Sequence, residues 1–281
     1  MKVIHTRNAL QEALRVYRGR GETVGFVPTM GALHAGHLAL VKACREQAAH
    51  TVVSIFVNPV QFNDPQDFAL YPRTLDDDLK LLDAYQTDLV FVPEVHEVYP
   101  EGTNELETYD LGSLETVLEG KFRPGHFQGV ARVMRRLLEM IQPDVLVMGE
   151  KDYQQCLIVQ QLLQIMHASV RFYMHPTVRE ADGLAMSSRN RRLLPDDRKK
   201  ATLIYESLMY IRSHWRYMPF ARLEAVVREQ LQATGFVVDY VAIARSVDLQ
   251  ILQAPEDTEM RALIAATIQG VRLIDNMQIN P

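Results

Sequence analysis

Short apolar runs that alternate with helical segments constrain the fold of this 281-residue chain more than any other feature. The runs are rich in β-branched and aromatic residues, which is typical of strands covered on both faces. They read TVGFVP (23–28), TVVSIFV (51–57), DLVFVP (88–93), DVLVMG (144–149) and VRFYMH (170–175). Helical periodicity is found at 7–18, 37–50, 74–85, 129–141 and 153–166. Strands that alternate with helices predict right-handed βαβ units and an α/β fold with a Rossmann-like, doubly wound parallel sheet.

The pattern changes after about residue 175. A polar stretch rich in turn formers covers 179–197, and helices are predicted at 196–213 and 219–233. Three strand-like runs follow, FVVDYVAIA, MRALIAATI and GVRLIDN. Helices followed by consecutive strands predict a smaller α+β domain with an antiparallel sheet. We therefore place one domain at 1–176 and a second at 177–281.

Composition excludes several classes of protein. The formal net charge of −5 and the pI of about 6.0 give no general attraction to nucleic acid, and the locally basic stretch 189–200 is expected to be a solvated face. No apolar run approaches the ~18–20 residues of a membrane span, and the N-terminus has no secretion signal. The two cysteines, Cys44 and Cys156, lack disulfide or metal-ligand spacing. These observations predict a soluble, cytoplasmic protein.

The stretch PTMGALHAGH (28–37) follows the first apolar run directly. Gly31 and Gly36 allow the backbone to turn and to approach a ligand, and free amides at a helix start favour phosphate. His34 and His37 can donate hydrogen bonds to phosphate oxygens. The stretch differs from the P-loop and from the dinucleotide fingerprint. We expect a nucleotide-phosphate site, although His34 as a helix cap and His37 as a packed side chain remain an alternative.

Two later motifs place a positively charged side chain near a predicted helix start or on a predicted loop. In VMGEKDYQQ (147–155), Lys151 stands near a predicted helix start, where the helix dipole disfavours a cation unless an anion is bound. Asp152 is a candidate cap of the helix that starts at Tyr153. In AMSSRN (185–190), two hydroxyls beside Arg189 can form a phosphate clamp on a loop. A solvated lysine and an ordinary exposed loop are the alternatives.

Six blocks together resemble a known family. A strand followed by HxGH and, later, an MSSR-type loop is similar to the HIGH/KMSKS nucleotidyltransferase superfamily. Within it, the blocks resemble the pantoate–β-alanine ligase family in content and in order. They are PTMGALHAGH, SIFVNPVQF, YPRTLDDD, EGKFRPGHFQGV, MGEKDYQQ and DGLAMSSRN, and they lie between residues 28 and 190.

The resemblance implies an AMP-forming acid–amine ligase of coenzyme A biosynthesis. Pantoate's carboxylate would attack the α-phosphate of ATP, giving pantoyl adenylate and pyrophosphate, and the amine of β-alanine would then displace AMP. ATP would be used as its Mg²⁺ complex, and the family forms homodimers. The partners implied are these small molecules and a second copy of the chain, with no nucleic acid and no membrane.

The resemblance also implies roles for individual residues. His37 and His34 would face the phosphates, with His37 as the proton donor to pyrophosphate, and Lys151 and Arg189 would neutralise the transition-state oxygens. These four groups are therefore expected to converge on one triphosphate. The residues implied in ATP binding are Met30, Gly31, Ala32, Leu33, His34, Ala35, Gly36, His37, Gly149, Glu150, Lys151, Asp152, Val178, Met186, Ser187, Ser188 and Arg189.

For binding of pantoate and β-alanine, the resemblance implies fewer residues. Gln61 and Gln155 match the two amides that hold pantoate, which suits them because an amide both donates and accepts without adding charge. Weaker candidates for the same side are Asn58, Tyr71 and Arg123, the last on a stretch (119–127) predicted to be a loop. Asp77, in RTLDDD, is a weak candidate for the metal, since the helix dipole alone explains three carboxylates at a helix start.

The residues alone leave three other classes of protein as alternatives. A nucleotidyltransferase that adenylylates a phosphorylated acceptor shares the first and third motifs, but it needs a dedicated phosphate pocket. A relative of the aminoacyl-tRNA synthetases needs an RNA-binding surface, which the pI and the short C-terminal region disfavour. A nucleotide-binding module without activity is disfavoured by the presence of all four charged or imidazole side chains.

Overall fold

This computed structural model describes residues 1–63, 65–104 and 106–280. Within these residues, a parallel sheet of six strands forms the centre of the first structural unit. The strands, in chain order, are β1 (Lys2–Ile4), β2 (Val24–Thr29), β3 (His50–Ile55), β4 (Leu89–Phe91), β5 (Val145–Gly149) and β6 (Arg171–His175). Their order in the sheet is β1-β4-β3-β2-β5-β6, and all neighbours are parallel. The fold class is confirmed as α/β with a Rossmann-like sheet.

The order of the strands sets the place where a ligand can bind. The chain proceeds from β2 outward through β3 to β4, and it returns to the other side of β2 as β5. In open α/β sheets, ligands bind at the carboxyl ends of the strands where this direction reverses. The reversal lies between β2 and β5, which pair through Gly25 with Val145 and Phe26 with Leu146.

Helices connect these strands. They are α1 (Arg7–Gly19), α2 (Ala35–Arg45), α3 (Pro65–Ala69), α4 (Leu75–Ala84), α5 (Val95–Val98), α6 (Glu119–Phe122), α7 (His126–Ile141) and α8 (Tyr153–Ile165). The central strands are buried because helices cover both faces, and Val27, Val53 and Val147 belong to one apolar cluster with Val41 of α2. Within the described residues, no helix has both the length and the apolar character needed to cross a membrane.

The second unit has its own sheet and its own core. Strands β7 (Val237–Arg245), β8 (Met260–Ile268) and β9 (Val271–Gln278) form an antiparallel sheet in that order. Its helices are α9 (Pro195–Ala201), α10 (Leu203–His214) and α11 (Phe220–Ala233). Buried side chains such as Ile211, Leu223, Val227, Ile243 and Ile264 fill the space between these helices and the sheet. By its contacts, this unit comprises Thr177 onward together with Lys151–Leu157, and the first unit comprises Met1–Glu150 and Ile158–Pro176.

Some local predictions were wrong. The helix predicted at 196–213 is divided into α9 and α10 at the single residue Thr202, which keeps helical backbone angles (φ −62°, ψ −24°). The stretch predicted as a loop at 119–127 contains α6. Helix α7 begins at His126 instead of residue 129, since Gly125 adopts a left-handed conformation that caps it. Strand β1 was not predicted at all.

Candidate active site

The turn after β2 is tied to the neighbouring strand. Thr29, the last residue of β2, donates its hydroxyl to Ser54 O at 2.7 Å and accepts from the amide of Gly31 at 3.2 Å. Gly31 has a φ of +80°, which favours glycine, and a Cβ there would lie 3.1 Å from both Ile55 and Asp78. The chain therefore leaves the sheet in a tight turn with little room for a side chain.

A buried carboxylate holds the next part of this turn. Asp78, on the first turn of α4, is 1% exposed. Its two oxygens accept from the backbone amides of Ala32 at 2.9 Å and Leu33 at 2.8 Å, and Thr74 donates to it at 3.2 Å. Hydrogen bonds to a charged acceptor are stronger than neutral ones. Asp78 thus fixes the backbone just before the two histidines, including Ala32 in its unusual positive-φ conformation.

The two histidines lie side by side at the start of α2. Their ring centroids are 4.0 Å apart with 36° between the planes. His34 is the N-cap of α2, and its Nδ1 accepts from the amide of Gly36 at 3.1 Å. A neutral imidazole that accepts through Nδ1 carries its proton on Nε2. Capping is therefore part of the role of His34, and it orients the ring as a donor through Nε2.

A buried amide pair follows β3. Asn58 caps the 3₁₀ turn Pro59–Gln61. Its Nδ2 donates to Gln61 Oε1 at 3.1 Å and to Gly129 O at 3.2 Å, while its Oδ1 accepts from the hydroxyl of Tyr99 at 2.9 Å. Burial raises the pKa of Tyr99, which keeps this hydroxyl a donor. Because Oε1 of Gln61 already accepts from Asn58, the group that Gln61 can present to a ligand is its Nε2 donor. This Nε2 lies 3.5 Å from Met30 Sδ.

Helix α7 supports the same turn from the other side. His126 Nδ1 lies 2.8 Å from Gln61 O, and its Nε2 lies 2.9 Å from Arg123. Because a guanidinium only donates, Nε2 accepts and Nδ1 donates to Gln61 O. A Cβ on Gly129 would be 2.5 Å from Val60 O and 2.6 Å from Gln61 Cα. The sequence GHFQG therefore allows a close approach between helix and turn.

The chain leaves β5 at Gly149 and enters a 3₁₀ turn at Glu150–Asp152 before α8 begins. The side chain of Lys151 is 17% exposed, and its Nζ lies 3.6 Å from the carboxylate of Asp152. Its backbone carbonyl accepts from Asn276 at 2.9 Å, within the second unit. Gln155 is half-buried on the first turn of α8. The lysine is thus partly buried at a helix start, beside a carboxylate, and its role as an anion-binding residue stays a prediction.

The segment with the third motif is a hairpin followed by a turn. Met186 donates its amide to Val178 O at 3.0 Å, so these two residues face each other across the hairpin. Ser187 caps a 3₁₀ turn at Ser188–Arg192 and accepts from the amide of Arg189 at 3.3 Å. Ser188 is buried. The predicted loop is therefore an ordered turn that begins at Ser188.

Two weaker candidates, Tyr71 and Asp77, differ in how far their side chains are buried. Tyr71 is buried and packs edge-on against Phe62, with ring centroids 5.8 Å apart. The carboxylate of Asp77 lies 3.0 Å from Lys80 Nζ, and both side chains are exposed. In the described part of the chain, no three acidic, histidine or cysteine side chains form a group that could hold a metal.

The structure brings some predicted residues together within each unit. In the first, His34 contacts His37, and Gln61 contacts Asn58 and Met30. In the second, Val178 pairs with Met186. The convergence of the two histidines, Lys151 and Arg189 on one triphosphate stays a prediction.

Sequence reasoning missed the residues that support the site. Asp78 was attributed to the helix dipole, because its amide partners are distant in sequence. Tyr99 had no motif signal, and Asn276 lay in a run that predicted only a strand.

A doubly wound α/β sheet with an imidazole pair at the start of the helix after strand β2 is the arrangement expected of an α/β enzyme that binds its ligand at the carboxyl ends of the strands. The family model for pantoate–β-alanine ligase matches residues 2–278. The chain belongs to the pantoate–β-alanine ligase family, and it is a ligase of pantothenate biosynthesis.

Curated relatives and solved structures agree with this family. The chain is similar to the pantothenate synthetases of Thioalkalivibrio sulfidiphilus (45% identity) and Methylococcus capsulatus (42%), each match covering 100% of this chain and 98% of the relative. The crystal structure of pantothenate synthetase from Thermus thermophilus has a TM-score of 0.93 at 42% identity, with 100% of both chains covered. The pantoate–β-alanine ligase of Francisella tularensis, complexed with β,γ-ATP and β-alanine, has a TM-score of 0.84 at 34% identity, covering 99% of this chain and 98% of that one.

Proposed function

We propose that this chain condenses pantoate with β-alanine at the expense of ATP, through a pantoyl-adenylate intermediate. A carboxylate oxygen of pantoate attacks the α-phosphorus, and the bond to the pyrophosphate oxygen breaks. The amine of β-alanine then attacks the acyl carbon, AMP leaves with the original carboxylate oxygen, and the amine loses a proton. The observation that carries the proposal is the His34–His37 pair at the start of α2, on a turn fixed by Asp78.

The imidazole pair supports the first step. Charge builds up on the phosphate oxygens as pyrophosphate departs, and preorganised donors stabilise it without reorganisation. His34 has its Nδ1 engaged by Gly36 and therefore directs an Nε2–H donor. His37, one helical turn in, is the proposed proton donor to pyrophosphate, because an imidazole titrates close to neutral pH. Residues 30–37 would line the nucleotide.

The amide pair supports recognition of pantoate. Asn58 occupies Gln61 Oε1, so Gln61 offers an N–H donor. A donor without charge suits a carboxylate or hydroxyl oxygen and leaves the negative charge of the nucleophile undiminished. Gln155 is proposed as the second amide, and Tyr71 and Arg123 as neighbours on the same substrate side.

The remaining ATP contacts are proposed from the family resemblance. Lys151 and Arg189 would neutralise the phosphate oxygens, the former as a point charge and the latter as a two-pronged donor. The place of Lys151 between the carboxyl end of β5 and the start of α8 supports its assignment, since anions bind at helix N-termini and at this edge of a parallel sheet. The other proposed ATP contacts are Gly149, Glu150, Asp152, Val178, Met186, Ser187 and Ser188.

Magnesium is proposed to arrive with the nucleotide. Within the described residues, no three acidic, histidine or cysteine side chains form a group that could hold a metal, and the Asp77 carboxylate lies against Lys80. These surroundings fit a metal that is held mainly by phosphates and water, which is common for Mg²⁺. When bound, Mg²⁺ would offset phosphate charge, and Asp77 would contact it through water. We also propose, from the family resemblance, that the chain is a cytoplasmic homodimer.

Exchange of labelled pyrophosphate into ATP tests the proposal. With Mg²⁺ and pantoate present and β-alanine absent, we expect rapid exchange, because formation of the adenylate is reversible. Omission of pantoate should abolish the exchange. If a phosphorylated acceptor supports exchange while pantoate does not, the chain is a nucleotidyltransferase of the alternative class and the proposal is wrong.

A further inference from the structure

The backbone of Lys151 is held by a residue far away in the sequence. The side-chain amide of Asn276, on β9, donates to Lys151 O at 2.9 Å across 125 positions. A lysine head group sits on a flexible stem of four carbons, so its mean position depends on where the backbone is fixed. The contact restrains the backbone of Lys151 without occupying its ammonium group.

Asn276 has a defined orientation. It is 3% exposed, and its Oδ1 accepts from the guanidinium of Arg261 at 2.5 Å. Because a guanidinium has no acceptor, Oδ1 must face Arg261, and Nδ2 must face Lys151 O. Its backbone amide donates to Asp275 Oδ1 at 2.8 Å, and that carboxylate also takes a two-pronged contact from Arg179 at 2.6 and 3.1 Å.

Arg261 restrains the same segment at a second point. Its guanidinium lies 3.9 Å from the ring centroid of Tyr153, two residues after Lys151. The hydroxyl of Tyr153 donates to Ser246 O at 3.0 Å. The start of α8 is therefore attached through a carbonyl and an aromatic ring to one buried arginine–asparagine pair of the second unit.

We propose that Asn276, oriented by Arg261, is a positioning residue that places the Lys151 ammonium for formation of the adenylate. This inference rests on the proposed function, because it assumes that Lys151 acts on the phosphates. Misplacement of a catalytic group by about 1 Å costs up to ~10²-fold in rate. The loss of Asn276 should therefore reduce turnover with little change in substrate affinity.

Asn276→Asp is the test variant. It keeps the shape of the side chain and the oxygen that faces Arg261, and it replaces the donor to Lys151 O with an acceptor. Asn280→Asp is the matched control, because Asn280 also joins two backbone groups of this unit, donating to Thr258 O and accepting from Met260 N. If Asn276→Asp fails to fold, as judged by circular dichroism, Asn276→Ser replaces it and is judged by the same criteria.

The measurement is the rate of pantoate-dependent ATP–pyrophosphate exchange in a double-mutant cycle with Lys151→Ala. We expect Asn276→Asp to reduce kcat about 10-fold or more with KM changed less than about threefold, and Asn280→Asp to change kcat less than about twofold. On the Lys151→Ala background, Asn276→Asp should have no further effect. Equal losses on both backgrounds, or wild-type kcat in the single variant, would overturn the inference. Near-wild-type exchange in Lys151→Ala alone would instead remove Lys151 from the proposed function.

Discussion

The carboxylate of Asp78 accepts the backbone amide hydrogen of Ala32 at 2.9 Å, although 46 positions separate the two residues in the chain. A second bond, to Leu33, makes this side chain a bridge between the first turn of α4 and the turn that carries the histidines. The turn that we propose to bind the nucleotide is therefore shaped by a carboxylate that need not touch the nucleotide.

Asp78→Asn should weaken the use of ATP. The amide has only one acceptor oxygen, and its NH₂ group would face a backbone N–H of the turn. Losing one hydrogen bond to a charged group costs about 1.5–3 kcal/mol, so we expect kcat/KM for ATP to fall about 10- to 100-fold. Asp76→Asn, an exposed carboxylate on the same helical turn, is the control and should remain near wild type. An Asp78→Asn enzyme with unchanged kcat/KM for ATP would show that the turn needs no such support.

Gly129→Ala should impair the use of pantoate. The new methyl group would overlap Val60 O and Gln61 Cα, both closer than 3 Å, and would push the amide of Gln61 away from its present place. We expect KM for pantoate to rise about 10-fold or more, with a smaller effect on KM for ATP. Gly19→Ala is the matched control, because nothing lies within 4 Å of a Cβ at that position. Equal effects on both substrates would argue against a role for this turn in pantoate binding.

His37→Ala should slow the first chemical step by roughly 10²-fold, which is typical for the loss of a positioned acid. Single-turnover formation of pyrophosphate, measured with pantoate and without β-alanine, reports this step apart from the second step and from product release. His96→Ala, whose side chain is largely exposed, serves as the control. A single-turnover rate that stays at the wild-type value would exclude His37 as the proton donor.

The thiol of Cys44 should make the free energy of unfolding depend on pH in the alkaline range. Burial raises the pKa of its thiol from 9.0 to about 11, although the hydroxyl of Thr51 opposes the shift. Between pH 9 and 11 the unfolded chain releases a proton that the native chain retains, so the free energy of unfolding falls as the pH rises. The contribution is on the order of 2–3 kcal/mol over this window.

Urea unfolding of the wild type and of Cys44→Ala at several pH values checks this prediction. The stability difference between the two proteins should be constant from pH 6 to 8 and should narrow from pH 9 to 11. A difference that stays constant through pH 11 would mean that the thiol is not the titrating group.

The parallel sheet was predictable because its central strands are local signals. A short β-branched run such as TVVSIFV, in a chain that also contains amphipathic helices, predicts a strand. Because polar residues do not alternate along the run, both faces of that strand are predicted to be buried. Strand β1 has three residues, too few for a periodic pattern, and it exists because it pairs with β4 at the sheet edge. The division of the helix at Thr202 is a one-residue interruption with helical backbone angles, which propensity does not reveal.

The candidate site was predictable to the extent that its residues form contiguous motifs. His34 and His37 are three positions apart, and a helix start brings them together without any distant contact. The supporting residues Asp78, Tyr99 and Asn276 act across long sequence separations. Their partners are set by the topology of the strands, so a single sequence read locally attributes Asp78 to the helix dipole, gives no signal for Tyr99 and predicts only a strand at Asn276.

Transfer of ¹⁸O tests the central claim, the pantoyl adenylate, most directly. The enzyme is supplied with pantoate labelled with ¹⁸O in its carboxylate, together with ATP, Mg²⁺ and β-alanine, and the nucleotide product is analysed by mass spectrometry. The account predicts one ¹⁸O in the phosphate of AMP and none in pyrophosphate, because the attacking oxygen leaves with AMP. Label in inorganic phosphate accompanied by ADP, or AMP without label, would contradict it.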